Sequence, residues 1–280
     1  CVYIKCALTI FCCQVELNRQ KFLPTRVKVL PVRARGLQNS FLTRAVKVTK
    51  KHTVGEIQMS LAPLDYDFGN ASNYSFATTI TCGNEDARKM FAEAFGHMLN
   101  FNHEQAIACY MKATELDSSC AMAWWGIAYC VSSNYNWTPG LGSGFDPIQQ
   151  ALSLKAGCTE LEQDLIDALA ERHSQEARDA ADPSVLNMGN TPELNAAFAA
   201  AMAPLYEKYK GNLDVAAIYV EALMNLKAWQ LWDKNTETGE ITPADDNTLT
   251  CVQVMEDAFE NIDGAKKHIA LCHLYCHCLE

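Results

Sequence analysis

Apolar residues recur every three or four positions through most of the chain after Gly83, which is the period of an amphipathic α-helix. The segment HEQAIACYMKATELD, which follows Asn102, shows this period most clearly. Its apolar stripe consists of Ala106, Ile107, Tyr110, Ala113 and Leu116. The segment DARKMFAEAFGHMLN ends only two residues earlier. Two helices joined by so short a link must lie antiparallel.

Further helical segments continue to the last residue of the sequence. Thr159 and Glu162 form a capping box that opens one of them. A long alanine-rich segment starts at Pro192 and runs to near Tyr209, with Gly211 just beyond it. Counting all segments, we predict nine helices over residues 84–280, in four antiparallel pairs with one helix left over. The fold class is therefore all-α, and residues 59–83 are an extended lead-in.

Small and large residues also recur at a spacing of 34 residues, with Ala94 and Ala128 as one such pair. This region resembles the tetratricopeptide repeat (TPR), a helix pair about 34 residues long with small residues where helices approach closely. The stretch FNHEQAIACYMKATELDSSCAMAWWGIAY resembles a group of uncharacterised TPR proteins with long repeats and loop insertions. The resemblance implies a TPR-like superhelix of stacked helix pairs, whose last repeat stops half made at Glu280.

The charge divides the sequence into two parts. Residues 1–58 hold 11 Lys/Arg against 2 Asp/Glu, whereas residues 59–280 hold 12 against 31. The first part shows no helical or strand period, and we expect it to be disordered. It is either an organelle transit peptide, which would make the protein mitochondrial, or translated sequence upstream of a start at Met59. The break in composition at Met59 favours the second interpretation.

Composition excludes several classes of function for the helical part. Its acidity argues against nucleic acid as a partner, since phosphate contacts need clustered Lys and Arg. No run of 18 apolar residues occurs, which argues against a membrane partner. The 13 cysteines lie mostly in apolar helical contexts, which favours buried free thiols in a reducing, cytoplasmic compartment.

The resemblance to TPR proteins implies a scaffold that binds a protein or peptide, without chemistry of its own. Insertions in repeat proteins often gather on the binding face. The insertion SSNYNWTPGLGSGF therefore makes Tyr135, Asn136 and Trp137 candidates for a binding surface. Trp125 is a fourth candidate, because it points about 100° away from Trp124 on the same helix. It faces either a groove or the neighbouring helix, and the second interpretation, which places it in the core, is favoured.

The alternative hypothesis is a metal-binding protein or metal-dependent enzyme on the same scaffold. The segment HLYCHCLE places His273, His277 and Glu280 on one helical face. Imidazole and carboxylate groups are ligands for Zn²⁺ or iron, and Glu280 could instead orient a ligand. A complete site needs a further ligand from elsewhere, for which His103 and Glu221 are candidates. The competing interpretation is that the two histidines only pack against neighbouring structure.

Overall fold

The structure is a computed structural model that describes residues 52–54, 57–59, 76–77, 79–136, 140–174 and 192–280. The described residues all belong to one compact unit, Val48–Glu280. Strands β1 (His52–Val54) and β2 (Ile57–Met59) pair antiparallel. The composition break at Met59 thus coincides with the end of a strand, and the predicted disorder of residues 1–58 otherwise lies outside the described residues.

The rest of the described chain is mostly helical, which confirms the predicted all-α class. Its nine α-helices are α1 (Glu85–Leu99), α2 (His103–Leu116), α3 (Ala121–Val131), α4 (Phe145–Leu154), α5 (Glu160–Glu171), α6 (Pro192–Lys208), α7 (Leu213–Met224), α8 (Asp246–Asn261) and α9 (Ile269–Cys278). Each helix packs against the next along the chain. In addition α1 contacts α3, α3 contacts α5, and α7 contacts α9. We call the odd-numbered helices, which contact one another as α1–α3–α5 and α7–α9, the inner row.

The helix boundaries follow from local chemistry. Asn84 and Asn212 cap α1 and α7, each accepting two backbone N–H groups through its side chain. The predicted capping box of Thr159 and Glu162 is present at the start of α5. Small residues allow close packing between helices, and the alanines at the predicted close contacts are fully buried. These are Ala94, Ala106, Ala113 and Ala128.

The end of the lead-in runs across the amino ends of two odd-numbered helices. The Phe76 N–H donates to Asp214 Oδ2 at the start of α7 (3.1 Å). The Thr81 N–H donates to Glu162 Oε1 in the first turn of α5 (2.6 Å). Asp214 also accepts from His268 Nε2, just before α9 (3.0 Å). Carboxylates at helix amino termini are favoured by the helix dipole, so these contacts are stabilising. We call the amino ends of the odd-numbered helices, which these contacts hold in place, the amino edge of the inner row.

The hydrophilic stretch between α7 and α8 shows no helical or strand period, yet part of it forms a hairpin. Strands β3 (Trp232–Lys234) and β4 (Ile241–Pro243) pair antiparallel. Asn235 closes the turn, because its side-chain oxygen accepts the N–H groups of Glu237 and Thr238. Side-chain hydrogen bonds of this kind leave no trace in the hydrophobic period, which is why the pattern missed the hairpin.

The two adjacent tryptophans of α3 have different environments. Trp125 is fully buried and its Nε1–H donates to the carbonyl of Leu165 in α5 (3.0 Å). Trp124 is half-buried and its Nε1–H donates to the Ser118 carbonyl. The placement of Trp125 on a binding surface is therefore wrong, because this side chain belongs to the core between α3 and α5.

Gly126 is where α2 and α3 approach most tightly. A Cβ atom there would lie 2.4 Å from Cζ of the buried Tyr110. We predict that Gly126→Ala lowers the free energy of unfolding by about 1–3 kcal/mol through overpacking. Gly157→Ala is the matched control, since no atom lies within 4 Å of its added Cβ. Urea denaturation measures both, and equal midpoints for the two variants would contradict the prediction.

Two expectations from composition can be compared with this part of the chain. The nine cysteines among the described residues form no disulfide bond, and most are buried. Among the described helices, none is long and apolar enough to cross a membrane.

Candidate functional site

Polar and ionisable side chains gather where the odd-numbered helices end. Side-chain contacts bring the carboxyl ends of α1, α3, α5, α7 and α9 together at one edge. We call these ends, with the loops that follow them, the carboxyl edge. Among its residues are His97, Tyr129, Arg172, Glu221 and His277 from α1, α3, α5, α7 and α9. All five are buried, which is unusual for ionisable side chains.

Tyr129 and Glu221 link the ends of α3 and α7. The Tyr129 hydroxyl donates to Glu221 Oε2 at 2.5 Å, and both side chains are buried. Burial raises the pKa of Glu221 above its usual value, whereas Tyr129 and the nearby charge of Arg172 lower it. Burial also raises the pKa of Tyr129 well above its usual value, and the Glu221 carboxyl adds to the rise. The short hydrogen bond therefore links two buried ionisable groups and offsets part of the cost of burying each of them.

Arg172, at the end of α5, is a cation buried among neutral acceptors. Its Nε and Nη2 donate to Asn195 Oδ1 at 3.0 and 2.7 Å. Nη2 also donates to the backbone carbonyl and the hydroxyl of Ser133. Its guanidinium carbon lies 5.5 Å from the ring centroid of Phe198. Arginine stays charged even when buried, so this cation sets the electrostatics of the carboxyl edge.

Two buried histidines flank Arg172. His103 Nδ1 lies 3.0 Å from the Cys130 carbonyl and 3.2 Å from Asn134 Nδ2. Burial lowers the pKa of His103 to about 4, and Arg172 contributes to the reduction. His173 Nε2 lies 3.0 Å from Ser132 Oγ, and burial lowers its pKa to about 3. Both rings are therefore neutral at neutral pH.

A second group of rings lies where α9 meets the loops after α1, α3 and α7. The group, which we call the aromatic–histidine cluster, consists of Phe101, Tyr135, Trp229, His273 and His277. His277 is at its centre, with ring centroids 6.0 Å from Phe101, 5.2 Å from Tyr135, 5.8 Å from Trp229 and 4.7 Å from His273. Tyr135 stacks on Trp229 at 5.2 Å.

Backbone strain is concentrated in the same cluster. Within the described ranges, Phe101 (φ 58°) and Trp229 (φ 64°) are the two non-glycine residues with positive φ. For a bulky side chain this conformation costs on the order of 1–3 kcal/mol, and such residues collect at functional sites. Both rings contact His277. The strain therefore marks the aromatic–histidine cluster as the strongest functional candidate on the carboxyl edge.

The predicted surface residues of the insertion have different positions. Tyr135 is buried inside the aromatic–histidine cluster, while Asn136 is exposed and donates its backbone N–H to Asn134 Oδ1. Trp137 lies outside the described residues. Tyr135 is thus the member of this group that the structure brings into the candidate site.

The predicted metal ligands are only partly brought together. His273 and His277 face each other with their Nε2 atoms 3.1 Å apart. Glu280 Oε2 lies 3.2 Å from His277 Nδ1, on the opposite side of that ring. The Phe101 ring contacts the rings of both His103 and His273. In the described part of the chain, no three His, Cys, Asp or Glu side chains are grouped so that they could hold a metal ion.

Sequence patterns did not reveal Arg172, Phe101 or the strained backbone at Trp229. Arg172 follows an amphipathic helix. A basic residue at the carboxyl end of a helix usually lies on the surface, where its charge interacts favourably with the helix dipole. Phe101 and Trp229 stand between helices, and positive φ in residues other than glycine has no sequence signal. The two asparagines that flank Phe101 were the only hint of unusual backbone there.

Comparison with known proteins adds no further information on the site. No family model matches this chain, and neither a curated protein nor a solved structure matches it.

Proposed function

We propose that the helical part of this chain is a TPR-type scaffold that binds a basic peptide segment of a protein partner beside the β3–β4 hairpin. The observation that carries this proposal is the location of exposed apolar side chains. Trp229, Ile241 and Leu249, all on or beside the hairpin, are three of the five exposed large hydrophobic residues in the described ranges. Trp229 is 55% exposed and Ile241 62% exposed. We call these three residues the apolar patch.

Trp229 has the properties of an anchor for a partner. Its ring stacks on the buried Tyr135 and contacts His277, so its orientation is fixed although much of its surface meets solvent. A rigid aromatic residue loses little conformational entropy on binding, and tryptophan is enriched among residues that dominate binding energy. The strained backbone at Trp229 indicates that the surrounding contacts hold it in place.

The charge beside the apolar patch indicates which charge the partner should carry. Residues 233–246 contain five carboxylates against one lysine, and most of these side chains are exposed. A partner that covers Trp229 brings its own charges close to these carboxylates. Like charges repel at this distance and opposite charges steer association, so a basic segment is favoured over an acidic one.

Binding of short amphipathic peptides to the full chain tests the proposal. We predict that basic peptides bind more tightly than acidic peptides of the same length and apolar content, and that salt weakens the binding. Trp229→Ala should lower the affinity at least tenfold, because anchors of this kind contribute about 2 kcal/mol or more. Isothermal titration calorimetry gives the dissociation constants.

Leu141→Ala is the control, since Leu141 is exposed outside the apolar patch. It should leave the affinity unchanged. Equal binding of basic and acidic peptides, or unchanged binding by Trp229→Ala, would show that the patch is not the docking site.

A further inference from the structure

His273 and His277 are one helical turn apart on α9, so their rings lie on the same face. Their Nε2 atoms are 3.1 Å apart. His277 is 2% exposed, whereas His273 is half-buried and reaches the surface. Two nitrogens at this separation need either a proton or another cation between them, because neutral imidazole has one N–H and one lone pair.

The hydrogen positions on His277 are constrained by Glu280. Glu280 Oε2 lies 3.2 Å from His277 Nδ1. An ionised carboxylate accepts hydrogen bonds and cannot donate them, so Nδ1 must carry a hydrogen. In neutral His277 the lone pair is then on Nε2, and it points toward His273.

Neither neutral form of His273 fits this arrangement well. If its hydrogen is on Nε2, then Nδ1 is a bare acceptor, and that atom is buried with no hydrogen-bond donor among the described residues. If its hydrogen is on Nδ1, two Nε2 lone pairs face each other at 3.1 Å. In the second case a positive charge between the two nitrogens satisfies both lone pairs, and either a proton or a metal ion can supply it.

A metal ion accounts for both lone pairs at once. Zn²⁺ binds imidazole nitrogens at about 2.0–2.1 Å, and two such ligands at a tetrahedral angle lie roughly 3.3 Å apart. The separation of 3.1 Å is close to this value. We propose that His273 Nε2 and His277 Nε2 together bind one divalent transition-metal ion of the Zn²⁺ or Fe²⁺ class. This inference is independent of peptide binding at the apolar patch.

The surroundings of the two histidines support a cation. Glu280 at His277 Nδ1 reproduces the carboxylate–histidine–metal arrangement, in which the carboxylate fixes the ring and makes the ligand more basic. His277 lies in the last turn of α9, where the helix dipole favours positive charge. Phe101, Tyr135 and Trp229 enclose the His277 ring and limit its rotation.

Two imidazoles leave coordination positions open. In the described part of the chain no third side chain is grouped with them to complete a closed site. A closed set of four protein ligands is typical of a structural metal, whereas open positions occupied by water or a small ligand are typical of a reactive one. The site we infer is of the open kind, and it should bind metal reversibly.

Metal titration of the full chain tests the inference. After removal of metal with a chelator, we expect one Zn²⁺ or Co²⁺ ion to bind per chain, measured by calorimetry and by the visible absorption of Co²⁺. His273→Gln and His277→Gln should each lower the affinity at least tenfold. Glu280→Gln, an exposed substitution, should lower it about 10–100-fold by releasing the His277 ring.

Cys276→Ser is the control, because Cys276 is exposed on the same helix. Its thiolate would be a ligand if a cysteine, rather than the two histidines, bound the metal. Its affinity should equal that of the wild type. Circular dichroism shows whether the histidine variants fold. If they do not, Glu280→Gln and the Zn²⁺-induced shifts of the histidine ring nitrogens in wild-type NMR spectra decide the question.

Three results would overturn the inference. The first is the absence of stoichiometric metal binding by the folded wild-type chain. The second is undiminished binding by folded His273→Gln and His277→Gln. The third is an imidazolium signal from His277 that Zn²⁺ does not change, which would mean that a shared proton joins the two rings.

Discussion

As the pH falls from about 6.5 to about 4, we expect the helical domain to lose most of its stability. Burial lowers the pKa of His103 to about 4 and that of His173 to about 3, from an ordinary value of 6.5. Within this range the unfolded chain binds more protons than the folded chain, so stability decreases as the pH falls. Each histidine contributes up to about 1.4 kcal/mol per pH unit, against a total stability of about 5–15 kcal/mol.

Glu221 acts in the opposite direction but does not reverse the outcome. Its pKa is raised in the folded state, so its contribution is fully present below the unfolded value of 4.5 and is lost as the pH rises through the folded pKa. One carboxyl of this kind opposes two histidines. The net slope of stability against pH should therefore remain positive between about pH 4.5 and 6.5.

Urea denaturation at a series of pH values measures this slope. His173→Gln should reduce it by up to about 1.4 kcal/mol per pH unit, because one titrating group is removed. Asn136→Ala changes an exposed side chain in the loop after α3, at the same carboxyl edge. It should leave the slope of stability against pH unaltered. A denaturation midpoint that stays constant from pH 7 to about 4.5 would contradict the neutral, buried state of these two rings.

Arg172→Ala should lower the free energy of unfolding by about 3–5 kcal/mol. The substitution creates a cavity in the interior, which for large side chains costs a few kcal/mol. It also removes the donors that satisfy Asn195 Oδ1 and the Ser133 carbonyl, and an unsatisfied buried acceptor costs about 1–3 kcal/mol. The variant also lacks the desolvation cost of a buried charge, which offsets part of this loss of stability.

Two further variants separate these contributions. Arg172→Met fills most of the volume and lacks the charge, so it should cost less than Arg172→Ala although it leaves the same acceptors unpaired. Lys89→Ala, an exposed change on α1, should stay within about 0.5 kcal/mol of wild type. If Arg172→Ala matched Lys89→Ala, the hydrogen bonds of Arg172 would have no structural role.

The helical part of the fold could be predicted from sequence because it depends on short-range rules. Nine amphipathic segments and the capping box at Thr159 predicted the helices that the structure shows. The 34-residue spacing predicted close helix contacts at Ala94 and Ala128, and both side chains are buried. Each of these signals depends on residues that are near one another in the sequence or that recur at a fixed spacing.

The candidate site was only partly predictable because it is assembled from five separated helix ends. The pairing of His273 with His277 follows from helical spacing, and so it was visible in the sequence. The contact of Tyr129 with Glu221 joins residues 92 positions apart, and no local pattern encodes it. Trp125 remained a surface candidate because spacing shows which face a residue occupies but not which neighbour covers that face.

The separation of the two edges has a consequence for how such a protein can change during evolution. Asp214, Glu162 and His268 fasten the amino edge, far along each helix from the loops that carry Phe101 and Tyr135. Substitutions and insertions in those loops can therefore alter what the molecule recognises while the fastening remains intact. The hairpin after α7 and the long loop after α3 both lie at that edge. New binding specificities should therefore arise at the carboxyl edge, while the residues of the amino edge should stay nearly constant.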